Sequence, residues 1–142
     1  MKTSITLDTV WLNQIPTIYN VEERAKLAQL FVNGRWEVTR AELHRLADER
    51  FHLGWLAEQL FPQSKNEQFV AYATAVYPAI AKEMDETLPF WDAAQLQAEA
   101  ELGRWDHERT TEIYEQNPIV KRLETEADHA TADAIADILQ LS

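Results

Sequence analysis

The chain has 142 residues, room for one compact domain, and its 46% hydrophobic and 26% charged residues are close to the averages of folded globular proteins. Asp and Glu number 24 against 13 Lys and Arg, a formal charge of −11; such an excess repels phosphate backbones, so nucleic acid is not an expected partner. With no cysteine and 3 glycines, disulfides, thiolate metal sites, cysteine nucleophiles and Gly-rich phosphate loops are excluded.

In chain order the pattern predicts a short helix near 6–14, then helices at about 21–32, 40–60, 65–87, 90–102, 105–116 and 118–140. Asn20-Val21-Glu22-Glu23, Thr39-Arg40-Ala41-Glu42 and Ser64-Lys65-Asn66-Glu67 each set a small polar residue three places before Glu. That is the capping-box pattern, in which side chains and backbone donors at a helix start satisfy each other. Gly34 and Gly103 follow apolar-periodic runs as left-handed stops. Pro62 and Pro89 read as further stops, Pro78 as a kink, and Asn117-Pro118 as N-cap and first helical residue. No Asn-Gly or Asp-Gly hairpin joins alternating segments, so no strand is expected. The fold expected is all-α: a single-domain bundle of about six to seven helices over residues 1–142. No run approaches the roughly 18 apolar residues of a membrane span, and the opening MKTSITLDTV lacks a signal-peptide core, so a cytoplasmic location and no membrane partner are expected.

Several carboxylates fall on apolar faces. On a helical wheel Leu46, Leu53, Leu56, Ala57 and Leu60 form a stripe that contains Glu49 and has His52 on its rim. Phe69, Tyr72, Val76 and Ile80 share a face with Glu83, and Leu27 and Leu30 flank Glu23. A buried, unpaired carboxylate costs several kcal/mol, so each asks for a cation, a partner or a proton. Glu49/His52 and Glu126/His129 are both Glu-x-x-His, which on a helix places the two side chains on one side. Two such helices with two further Glu build di-iron sites in helical bundles. In chain order Glu23, Glu49/His52, Glu83 and Glu126/His129 match that ferritin-like pattern. The plain alternatives are a solvated acidic face for Glu126/His129, a hydrogen-bonded polar pair for Glu49/His52 and a capping role for Glu23. His44 and His107 have no matched partner and read as surface histidines. Trp36, Trp55, Tyr72, Tyr77, Phe90, Trp91 and Trp105 read as core.

Val32-Asn33-Gly34, Thr39-Arg40-Ala41-Glu42-Leu43 and Ala47-Asp48-Glu49-Arg50-Phe51-His52 resemble the heme-oxygenase-like superfamily, which includes thiaminase II, the pyrroloquinoline-quinone synthase and non-heme di-iron oxygenases. Ala81-Lys82-Glu83-Met84, Phe90-Trp91, Leu102-Gly103 and Glu126-Ala127-Asp128-His129-Ala130 are similar to its later helices. Arg122 stands where the iron branch has a further histidine. A ferritin-like bundle is the second structural resemblance. The likeness implies O2-dependent oxidation of a small organic substrate at a di-iron (or manganese) centre. Its ligands would be Glu49, His52, Glu83, Glu126 and His129, with Glu23 or Glu108 completing the set. The competing class is a non-catalytic acidic helical module that regulates or inhibits a basic protein partner. A small-molecule substrate or a protein partner is therefore expected, with a homodimer also allowed.

Overall fold

The computed structural model describes residues 1–16 and 20–142. Over these described residues it is 71% helical, with seven helices beside a small two-stranded sheet, so the mostly helical class holds. The sheet is the first departure from expectation. The stretch expected to be one helix over 6–14 divides into strand β1, Ser4–Asp8, and helix α1, Thr9–Asn13. Ile5 and Leu7 pack against the core while Thr6 and Asp8 are exposed, the two-residue period of a strand. After helix α2, Val21–Ala28, strand β2, Arg35–Thr39, repeats that alternation with Trp36 and Val38 buried. The strands pair antiparallel from Ser4↔Thr39 to Asp8↔Arg35. The chain returns to β1 through α1 and α2 rather than a hairpin, so no turn signal announces the pairing. Gly34, at φ +78°, serves the turn into β2 rather than a helix end.

Thr39 closes β2 and caps helix α3, Arg40–Asp48, its hydroxyl accepting from Glu42 N at 3.0 Å. The single helix expected over 40–60 is broken here, and helix α4 spans Leu53–Leu60. Arg50 takes φ +62°; its amide donates to Ala47 O at 3.1 Å, and Phe51 N donates to Leu46 O at 2.9 Å. This is a Schellman motif, which satisfies the last carbonyls of α3 while Phe51 packs back into the core beside Leu46. The final helix ends the same way, with Gln140 at φ +61° donating to Asp137 O and Leu141 N donating to Ala136 O.

Helix α5 runs unbroken over Asn66–Leu102, with Pro78 and Pro89 inside it, so the expected stop near residue 88 is absent. Each proline removes one backbone donor and crowds the turn before it, yet packing against the two following helices carries α5 past both. Gly103, left-handed at φ +70°, ends it as expected. Neither Ser64 nor Asn20 supplies a side-chain cap: the residue before α5 is Lys65, and Asn20 precedes α2 without a capping bond. Helix α6, His107–Gln116, is capped by Asp106, and α7, Pro118–Ile138, by Asn117.

The main core gathers residues from the sheet, α1 to α4, the first half of α5 and the second half of α7, with Leu27, Leu43, Leu46, Leu56, Phe61, Val76 and Ile135 at its centre. Beyond it, the rest of α5 packs on α6 and the start of α7 through Ala94, Ala98, Thr110, Val120 and Leu123. Trp91 meets Tyr114 edge-on there at 5.2 Å. Trp36, Trp55 and Tyr72 are core as expected, whereas Tyr77 and Trp105 are exposed.

Candidate functional site

The six proposed ligands do not converge. Glu49 is the C-cap of α3 and accepts from Arg45 Nη1 at 2.8 Å. His52 lies across the helix break, as the residue before α4. The i,i+3 geometry required of that pair is lost, because the chain reverses into the left-handed Arg50 between them. Glu23 on α2 pairs with Lys26 at 3.3 Å, and its other oxygen is buried without a hydrogen-bond partner among the described residues. Glu126 extends into solvent toward Arg122 at 3.9 Å, while His129 turns to α3. Glu108 is exposed on α6. Among the described residues no group of three or more His, Cys, Asp or Glu side chains is placed to hold a metal ion. Separate elements and separate cationic partners do not fit a di-iron centre.

Two of the six, His52 and Glu83, do share a cleft. It has a volume of about 320 Å³ and lies where the α3–α4 break, α5 and α7 meet. Arg50 and His52 come from the break, Tyr72 and Glu83 from α5, and Glu124 and Asp128 from α7. Glu124, Ala127, Asp128 and Thr131 line it because positions three, four and seven apart share a helix face. A methyl group built on Gly54 would lie 3.5 Å from His52 Nε2 and 4.0 Å from the Tyr72 hydroxyl. Glycine at 54 thus leaves the floor between the two rings open.

The electrostatics are unbalanced toward negative charge. One guanidinium, Arg50, faces three carboxylates, Glu83, Glu124 and Asp128, and forms an ion pair with Glu124. Burial raises the proton affinity of Glu83, and repulsion from Glu124 and Asp128 adds to it. Burial likewise lifts the Asp128 carboxyl, with Arg50 opposing and Glu124 reinforcing. The Tyr72 hydroxyl is pushed up to about 12, first by burial and then by Glu58 and Tyr77. Several shifted groups converging on one concavity is the arrangement expected of a binding or reacting site.

Arg50, Glu124 and Asp128 were not among the candidate site residues read from sequence, and Tyr72 was read as core on the face it shares with Glu83. Glu124 and Asp128 flank Ala127 and lie within about a turn of the buried Leu123, so carboxylates beside an apolar helix face were the available signal. Glu126, in the same turn, does not line this cleft; with Glu83 it borders a separate hollow of about 160 Å³ between α5 and α7, where Lys82 also lies.

A second polar cluster joins α3 to α7. His44 Nε2 lies 2.6 Å from Asp133 Oδ1, His129 Nε2 lies 2.6 Å from Asp48 Oδ1, and the two Nδ1 atoms lie 3.2 Å apart. Arg40 donates to Asp133 at 3.0 Å, to Asp137 at 2.5 Å and to Leu141 O at 2.9 Å. Burial pushes Asp133 up, but hydrogen bonds from His44 and Arg40 outweigh it and hold the carboxyl below its usual range. His44 is therefore an interface residue, not the free surface histidine expected.

The fold and cleft define a mostly helical bundle with an acidic, inter-helical cavity. Comparison with family models, with curated proteins and with solved structures finds no match to this chain. Among the described residues, no helix is long and apolar enough to cross a membrane.

Proposed function

We propose that the protein binds a small cationic organic molecule, of the aliphatic amine class, in the cleft between the α3–α4 break, α5 and α7. The observation that carries this reading is the surplus of carboxylates there: burial destabilises Glu83 and Asp128 as anions, with Glu124 and Asp128 repelling the first and Glu124 the second. A bound ammonium relieves both effects at once by supplying the missing positive charge and N–H donors. The roughly 320 Å³ volume lies at the small end of ligand pockets. The heme-oxygenase-like and ferritin-like resemblances support a ligand held between helices; their di-iron chemistry is no part of this reading.

Titration with putrescine and spermidine, followed by melting temperature and calorimetry, tests it. Binding should saturate at one ligand per chain, strengthen as pH rises and the carboxylates ionise, and weaken with salt. Glu83→Gln and Asp128→Asn should each weaken it at least tenfold. Amine binding that is absent, or unchanged in both variants, would remove the proposal.

A second reading, the acidic module that captures a basic partner, is favoured by one further feature. Val70, Tyr77, Met84 and Leu88 are exposed along α5 at spacings of seven, seven and four residues, a continuous apolar stripe on one helix face. Glu67 and Asp85 border it. An amphipathic helix rich in Lys and Arg complements both stripe and charge. Calorimetry with such a peptide, repeated on Tyr77→Ser, separates the two readings, because Tyr77 does not line the cleft.

A further inference from the structure

We infer that His44 and His129 form a binding site for a single divalent transition-metal ion of the zinc, nickel or copper class, bridging α3 and α7. The site is distinct from the cleft and does not depend on it. Each Nε2 lies 2.6 Å from a carboxylate oxygen, of Asp133 for His44 and of Asp48 for His129. An ionised carboxylate only accepts, so each Nε2 carries the hydrogen, and Nδ1 is the ring nitrogen left to ligate. The two Nδ1 atoms lie 3.2 Å apart, with the rings nearly perpendicular at 79°. At that distance the two Nδ1 atoms share one position for a positive charge, filled either by a proton in a hydrogen bond between the rings or by a metal ion bound to both.

The spacing suits a metal ion. Zinc–nitrogen bonds of about 2.0–2.1 Å in a tetrahedral field separate two ligand nitrogens by about 3.3 Å. Carboxylates on the far ring nitrogens are the usual support of ligating imidazoles, fixing the tautomer and raising basicity. Both rings are about one-third exposed, 30% for His44 and 35% for His129, so an ion can enter and water can fill its remaining positions. With two protein ligands the ion is exchangeable rather than built into the fold. Arg40 sits behind Asp133, where it neutralises that carboxylate and Asp137 without reaching the Nδ1 edge through any hydrogen bond.

The test is calorimetric titration of chelator-treated protein with zinc chloride and nickel chloride alone, paired with melting curves. The expected result is one ion per chain and a higher melting temperature, because the ion links two helices only in the folded state. His44→Ala and His129→Ala should each weaken binding more than tenfold, and Asp48→Asn by about 10- to 100-fold. His44→Gln, which keeps a polar side chain at the interface, should lose binding while retaining the wild-type circular dichroism spectrum. His52→Ala should bind as wild type does. Absence of binding, or binding unchanged in His44→Gln and His129→Ala, would overturn the inference. So would loss of binding confined to His52→Ala, which would move the ion to the cleft.

Discussion

Glu83 occupies a position that an apolar residue would fill in an ordinary helix–helix contact, and the sequence pattern of Phe69, Tyr72, Val76 and Ile80 already marks that face. The structure adds what it faces, two further carboxylates on α7, Glu124 and Asp128. Burial and this repulsion raise its proton affinity above the ordinary value of 4.5, so the folded chain holds a proton to higher pH than the unfolded chain. Stability supplied by the protonated form is thus present at low pH and lost as pH rises through the folded-state value. Glu83→Gln, uncharged throughout, should be more resistant to urea than wild type at neutral pH, and the difference should shrink on acidification. Urea midpoints measured between pH 4 and 8 check the sign; a variant equally or less stable at pH 8 contradicts it. Glu83 was legible as a polar group on an apolar stripe, whereas His52 was singled out on a continuous 40–60 helix that the structure breaks before it. Arg50, Glu124 and Asp128 were not, since their convergence depends on where α3 stops and how α7 is rotated.

Helix ends divide sharply between those with a chemical mark and those without. Thr39 carries one: its hydroxyl accepts from Glu42 N, and Thr39→Ala should cost about 1 kcal/mol in equilibrium unfolding. Ser64 shares the same four-residue pattern but makes no cap, because α5 begins at Asn66. Ser64→Ala should therefore change stability by less than about 0.5 kcal/mol. The stops at Arg50 and Gln140 carry no mark at all, since side chains other than glycine occupy the left-handed position and the buried residues that follow, Phe51 and Leu141, hold them there. Gln140 is exposed, so Gln140→Gly relieves backbone strain without losing packing and should stabilise the protein by up to about 1 kcal/mol. Gln140→Val should destabilise it, as a β-branched residue tolerates this conformation worst. The two prolines of α5 misled in the opposite direction, because contacts with α6 and α7 outweigh a local preference to stop.

At the scale of the molecule, the two ends of the chain are sewn together. Lys2 N donates to Gln140 O at 2.8 Å, Ser142 N donates to Lys2 O at 2.8 Å, and Arg40 holds Leu141 O. Leu141 is 1% exposed although one residue from the end, so Leu141→Ala should cost about 2–4 kcal/mol, measured by chemical denaturation. The helical class was legible from periodicity, although the count of seven agrees only because one expected helix splits at Arg50 and two others merge through Pro89; this closure and the β1–β2 pairing were not legible, because both join segments far apart in sequence. The length of α5 has a further consequence. At 37 residues it reaches about 55 Å, beyond the main core, so its far half, with α6 and the start of α7, rests on a smaller set of alanines and aromatic edges. Such a region can open while the rest stays folded. Amide hydrogens from about residue 90 to residue 120 should therefore exchange with deuterium as one unit, well ahead of those at Leu43, Leu56 and Ile135. The molecule would then breathe at one end, with Pro89 at the boundary between its slow and fast halves.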